Sequence, residues 1–286
     1  AFRNCTNLTN ITIPDSVTSI GSSAFDGCTG LKTVNYKGTR ENWCRIKFDL
    51  SSGSNPVYYS KCLYINGEDI GDVIVPNDVK EISAFAFINC QNLTSIIIPD
   101  SATSIGGYAF EGCTGLTSII IPDSVTSIDF NAFEGCNSLT SVTIGNSVTS
   151  IGYRAFKDCT NLTNIKVGNS VTGIGAETFY GCTSLTSIII PNSVTGIGAE
   201  TFRGCTGLIS VTIGNSVTSI EYGTFENCTS LTSIIIPDSA TSIGGYAFEG
   251  CTGLTSIIIP DSVTSIGNSA FSGCTNLTNI TIPDSV

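Results

Sequence analysis

Cysteine is the one side chain of this sequence that is both reactive and regularly placed. There are 13 cysteines and no histidine. Eleven of them fall at 5, 28, 90, 113, 136, 159, 182, 205, 228, 251 and 274, and from Cys90 onward the interval is 23 residues without exception. Three chemistries compete for such a set. A metal centre needs ligands converging from several directions, usually with C-x-x-C spacing or histidine help, and the sequence has neither. Disulfides need facing Cβ vectors. One cysteine per stacked unit puts sulfurs roughly 5 Å apart but aimed the same way, and the total is odd. The favoured reading is a column of small buried thiols filling core slots beside Phe and Leu. Cys44 and Cys62 stand outside the column and are left open to pairing with each other.

Other chemistry finds little support. Without histidine there is no Ser-His or Cys-His dyad and no His-metal centre. Carboxylates recur in repeating turns rather than as one singled-out acid/base pair, and the glycines follow the repeat instead of forming a phosphate-binding loop. The expectation is no enzyme, no metal and no cofactor. A net charge of −11 argues against nucleic acid or an anionic membrane surface as partner. No apolar run approaches the roughly 18 residues of a membrane span. The chain opens at Ala1-Phe2 and stops at Val286 in mid-repeat, and reads as a fragment uncapped at both ends.

The elements that place the cysteines can be read from one coil, "GCTGLTSIIIPDSVTSI", Gly112 to Ile128. Leu116, Ile119 and Ile121 end in strand-like alternation. Pro122-Asp123 breaks the strand, and Gly145-Asn146, Gly168-Asn169 and Gly214-Asn215 take the same place as turn dipeptides. Val125 and Ile128 form a second extended stretch, followed by Ala132, Phe133, a small residue and Cys136. The small position is Gly27, Asn89, Gly112, Gly135, Asp158, Gly181, Gly204, Asn227, Gly250 and Gly273, all types that tolerate a left-handed backbone. It is expected to cap a short helical turn holding Ala-Phe. The column of Gly106 also accepts Ser83, Asp129 and Glu221, so it needs no positive φ. About eight residues per coil face inward and no coil can bury them alone, so neighbours must stack. About twelve coils, roughly 4.8 Å apart, make a rod or arc of roughly 55 Å. The gap from Cys28 to Cys90 is 62 residues, two periods plus 16, so one coil carries an insertion. The chain is therefore expected to be a single solenoid over 1–286 with an irregular region around 37–67.

The run "CTGLTSIIIPDSVTSIGNSAFSGC", Cys251 to Cys274, resembles the BspA-type leucine-rich repeats of bacterial and protozoan surface proteins, and the resemblance covers nearly all the chain outside the insertion. It implies a right-handed leucine-rich-repeat solenoid of the α/β horseshoe class, β-rich, with short helical or 3-10 turns. It also implies an extracellular or cell-surface location and, in some members, adhesion to host or neighbouring-cell surface and matrix proteins. One departure stands out. The polar ladder three residues after the last aliphatic is Ser here, as at Ser101, Ser124, Ser147, Ser193, Ser239 and Ser262, instead of Asn or Cys. Those hydroxyls are expected to bond neighbouring backbone at the turn.

Binding must use the outward columns. One runs through Ile97, Ile120, Thr143, Lys166, Ile189, Thr212, Ile235 and Ile258, beside a column of Ser and Asn. It reads either as plain β-propensity or as a shallow protein-binding patch. Stacked aspartates such as Asp100 and Asp123 could hold Ca²⁺, but Asn replaces them in other coils, which favours turn chemistry. The insertion concentrates Trp43, Tyr58 and Tyr59, and 7 of the 12 basic residues lie between Lys32 and Lys80. Thr39 is expected to cap a short helix with Trp43, Ile46 and Leu50 at helical spacing, and Asn66-Gly67 to turn a hairpin. Trp43 is either a ligand contact or a core plug. Pro99–Pro122 and Pro237–Pro260 are identical over 24 residues, which suits a partner gripping several equivalent coils. The sequence thus points to a cell-surface or secreted adhesion and protein-interaction scaffold. A structural spacer is the alternative, and carbohydrate binding through the aromatic insertion is the third reading.

Overall fold

The computed structural model describes every residue, 1–286, and is a β-solenoid of about twelve coils. After Cys113 the strand Ser118–Ile121 leads into the Pro122 turn, then a two-residue strand, Ser127–Ile128, then a run of tight turns to Cys136. Alternation sets the faces: Ile119 and Ile121 are buried, Ser118 and Ile120 exposed. Pairing is parallel with a register of one coil, Ile119 opposite Val142 opposite Ile165, and Ile128 opposite Ile151. The inward residues merge into one core cluster of 83 side chains. From Phe87 to Phe271 the phenylalanines form an unbroken pile, with ring centroids 5.0–5.8 Å apart and planes within 14° of parallel. No helix is long and apolar enough to cross a membrane.

The cysteine column follows from that pile. The Phe110 carbonyl accepts the Cys113 N–H of its own coil at 3.1 Å and the Cys136 thiol of the next at 3.1 Å. The thiol contact recurs from Cys113 to Cys274 at 3.0–3.2 Å. All 13 cysteines are free, Cys44 and Cys62 included, and 10 are buried. Cysteine is thus a donor as well as a filler, which its spacing alone does not reveal.

The expected helical turn is absent from the repeat. Between Gly106 and Cys113 the N–H groups of Ala109, Glu111 and Cys113 bond carbonyls three residues back, at every second residue instead of every one. Left-handed residues interrupt the helix: Tyr108 has φ +59° and Gly112 φ +66°. The small-residue column is left-handed throughout, as expected. A second left-handed column, which includes Phe85, Tyr108, Arg154, Glu177, Glu200 and Tyr246, carries no small-residue signature. The Gly106 column has no positive φ; a Cβ there would come within 2.6 Å of the Ala84 nitrogen, so close coil approach favours glycine. The serine ladder forms only in the last coils, where Ser239, Ser262 and Ser285 donate to carbonyls one coil back at 2.6–2.7 Å. The hydroxyl oxygens of Ser101, Ser124 and Ser193 are buried without a partner. Threonine supplies the regular ladder: Thr126 to Thr264 each donate to the carbonyl one coil earlier at 3.1–3.4 Å.

In the insertion, Thr39 caps the helix Arg40–Trp43 by accepting the Asn42 N–H. The helix stops there. Lys47–Phe48 is a strand paired with Ser19–Ile20, and Leu50 is 82% exposed, so the expected helical face of Trp43, Ile46 and Leu50 does not form. Asn66-Gly67 does turn a hairpin between Leu63–Ile65 and Glu68–Asp69, with φ +54° and +91°.

Burial drives the Cys136 thiol up to about 12 and should silence its reactivity. A thiol reagent is expected to modify only Cys5, Cys62 and Cys274 in the native protein and all 13 after denaturation. Cys159→Ala should cost about 1–2 kcal/mol of stability, read by urea unfolding.

Candidate interaction surface

The outward strand positions form one aligned face. Ile120 lies opposite Thr143 and Thr143 opposite Lys166; Ile189 opposite Thr212; Ile235 opposite Ile258. Ile97 extends the column and is paired with Ile74. The isoleucines are 59–76% exposed. The extra strand of the insertion adds Tyr64, opposite Asn35, which the 23-residue register could not place.

The face is grooved where a proline coil is followed by a glycine coil. At Gly145 a Cβ would come within 2.6 Å of the Pro122 backbone, and at Gly214 within 2.5 Å of the Pro191 carbonyl. The turns therefore nest, leaving recesses of about 690 Å³ beside Ile120, Asp123, Thr143 and Lys166, and about 550 Å³ beside Ile189, Asn192 and Thr212. The Asp123 carboxylate accepts the Asn146 N–H at 2.5 Å, and the Asn192 side chain accepts the Asn215 N–H at 3.0 Å. Both are turn contacts from one coil to the next, and no group of three or more Cys, Asp or Glu side chains is placed to hold a metal ion.

Trp43 belongs to the core, which corrects its place among the ligand-binding candidates. It is fully buried, edge-on to Tyr36 at 5.4 Å, and its Nε1 donates to the Ala86 carbonyl at 3.0 Å. The register explains this. Phe25 N–H bonds Gly53 as Phe110 N–H bonds Ala132, so Ser54 occupies the phenylalanine position of that coil. The coil that lacks the ring is the coil that supplies Trp43. Tyr59 is half-buried, its hydroxyl accepting the Gly27 N–H at 2.8 Å. Tyr58 stays partly open beside Tyr59. The three aromatics do not make one exposed platform.

Sequence reading missed an ionic row on the turns. Glu177 accepts from Arg154 at 2.9 Å, Lys157 at 3.0 Å and Tyr153 at 2.9 Å. Arg203 pairs with Glu200 and Glu226, each at 3.0 Å. Burial pushes the Glu177 carboxyl up, but the bonds from Arg154, Lys157 and Tyr153 outweigh it and hold it at about 2. The spacing of 23 between Arg154 and Glu177 was the available signal. Because these charges neutralise one another, the row is a brace between coils.

The family model of the BspA type leucine rich repeat region matches with 6 copies, over residues 1–66, 57–186 and 172–286. Among solved structures the chain is similar to a leucine rich cell surface protein from Faecalibacterium prausnitzii, at 32% identity over 96% of this chain and 78% of that one, with a TM-score of 0.55. A leucine-rich repeat protein from Bacteroides ovatus is similar at 30% identity over 100% and 82%, with a TM-score of 0.64. One from Eubacterium ventriosum shares the fold at 24% identity over 100% and 75%, with a TM-score of 0.67. No curated protein matches the chain.

Trp43→Ala should destabilise the insertion coil by about 3–5 kcal/mol, seen as an early phase in urea unfolding followed by circular dichroism; an unchanged transition would return Trp43 to the candidate surface. The depressed Glu177 carboxyl contributes stability above the usual glutamate range that is lost as pH falls through about 2. Glu177→Gln is therefore expected to lower Tm at pH 7, with the difference from the parent closing at the acid end of a pH series.

Proposed function

We propose that this chain, which belongs to the BspA-type leucine-rich-repeat family, is a cell-surface interaction scaffold that holds protein partners along its Ser/Thr/Ile strand face. The observation that carries the reading is the aligned column of isoleucines, each more than half exposed, on a face that the core does not need. Isoleucines adjoin at Ile74–Ile97 and Ile235–Ile258 and are interrupted elsewhere by Thr143, Lys166 and Thr212; exposed apolar area of this kind is the ordinary mark of a contact surface. The repetition of the column supplies several weak, equivalent contacts to one extended partner, so that avidity does the work a single anchor would do. The surface location is supported by the relative from Faecalibacterium prausnitzii, described as a cell surface protein. The partners proposed are host or neighbouring-cell surface and matrix proteins, and the role is adhesion.

The test is a binding screen of the folded chain against matrix proteins and glycans, repeated with Ile120→Asp and Ile258→Asp combined. Both positions are exposed, so stability should change by only about 0.5 kcal/mol each. The expected outcome is a protein hit weakened at least about tenfold by the double variant. Undiminished binding by the folded variant would remove this face from the reading, and no hit at all would favour a spacer.

A further inference from the structure

On the turn side, where the insertion meets the coils of Phe85, Tyr108 and Phe130, the chain forms a recess of about 460 Å³. Aromatic rings make most of its wall. Phe85 and Tyr108 stack at 4.9 Å, and Phe130 stands edge-on to Tyr108 at 5.1 Å and 85°, making a right-angled corner. Tyr58 and the exposed Leu50 close the side belonging to the insertion. The corner is not imposed by the backbone. Phe85 and Tyr108 are left-handed, at φ +62° and +59°, and Gly223 fills the same column at +58° without the steric cost of a side chain. The Phe130 ring lies against Gly107, where a Cβ would come within 2.8 Å of it.

Into this recess reaches one carboxylate, Glu111, which makes no side-chain hydrogen bond and no ion pair. The charged and titratable groups around it are Glu134, Lys61, Tyr108, Tyr58 and the buried thiols of Cys113 and Cys136, which stay protonated across the range considered. Lys61, which does not line the recess, places its ammonium 5.1 Å from the Tyr58 centroid, so that ring attracts a cation and Lys61 competes for it with a ligand. Aromatic faces and an unpaired carboxylate together select an organic cation over a neutral or anionic ligand.

We infer that this recess is a binding site for an alkylammonium group, held against the rings of Tyr58, Tyr108 and Phe130 and paired with the Glu111 carboxylate. The molecule contains its own control. Tyr246 and Glu249 lie in the second copy of the identical segment, but their neighbours are Gly223 and Asn268 in place of Phe85 and Phe130, and no insertion flanks them. One site per chain follows. Burial, with Glu134 adding to it and Lys61 opposing, raises the Glu111 carboxyl to about 7. The carboxylate therefore forms as pH rises through neutrality, and cation affinity should rise with it.

The experiment titrates the full chain with choline and with its neutral isostere 3,3-dimethyl-1-butanol, by calorimetry and saturation-transfer NMR between pH 5.5 and 8.5. Choline is expected to bind once per chain and at least about tenfold tighter than the isostere at pH 8. Glu111→Gln should abolish both the preference and the pH dependence. It should also stay folded, because the raised carboxyl of the parent loses stability as pH climbs from the usual glutamate range through about 7. Gly107→Ala, which displaces the Phe130 ring, should weaken choline, and Lys61→Ala should strengthen it. n-Butylammonium separates the two sources of such a group: tighter binding than choline points to a lysine side chain of a protein partner, weaker binding to a quaternary head. Equal binding of choline and the isostere, no binding of either, or a Glu111→Gln protein that binds as the parent does, overturns the inference.

Discussion

One carbonyl oxygen per coil, that of the column phenylalanine, holds the solenoid in register. It accepts an amide hydrogen from its own turn and a thiol hydrogen from the coil after it, so both of its lone pairs are used. The bond can form only where Phe stacks on Phe and Cys follows three residues later. A slip of one residue would break the thiol contact, unstack the rings and turn the strand inside out together. The insertion shows what happens when the pattern is missing. Gly53 and Ser54 stand where Ala and Phe belong, and the Ala86 carbonyl is satisfied by side chains instead, Asn55 Nδ2 at 3.1 Å and Trp43 Nε1 at 3.0 Å. Where the backbone register is broken, donors from side chains take over its obligations.

A core this repetitive leaves the surface free to vary. The identical segments at Pro99–Pro122 and Pro237–Pro260 build the same coil twice, yet Tyr108 faces Phe85 and Phe130 while Tyr246 faces Tyr222 across a tilted contact at 5.4 Å. Surface shape in such a chain is a property of neighbouring coils, not of a coil. The same holds on the strand face, where the grooves arise from the order of proline and glycine coils, and on the turns, where Arg154 and Glu177 meet because they are one period apart.

What the sequence made legible follows this division. The left-handed column through Gly112, Asn89 and Asp158 could be read because steric exclusion leaves a compositional trace. The second column could not, since Tyr108, Arg154 and Glu200 have no such signature and are held by the hydrogen bonds around them. Thr39 and Asn66-Gly67 are local signals and placed their cap and hairpin. Trp43, Ile46 and Leu50 share helical spacing, but three residues are too few to fix a period, and the strand at Lys47–Phe48 prevailed. The strand-face column of Ile97, Ile120 and Ile258 was legible by alternation. The fate of Trp43 was not, because it depends on a vacancy in a register that the insertion itself obscures.

The thiol column also sets a clock for the chain's synthesis. Thirteen reduced sulfurs in an unfolded polypeptide are open to oxidation and mispairing, and in oxidising surroundings such reactions proceed over seconds to hours. Cys28 and the cysteines from Cys113 to Cys274 donate backward, to a phenylalanine 26 residues earlier in the chain. A coil therefore needs nothing downstream to make that bond, and at ordinary rates of synthesis it emerges in roughly 1–5 s. The contacts are local, so stacking is fast. The chain can bond its sulfurs in the order in which they are made, but Cys274 makes its bond and still stays partly open, so each sulfur remains open to attack until the next coil is laid over it.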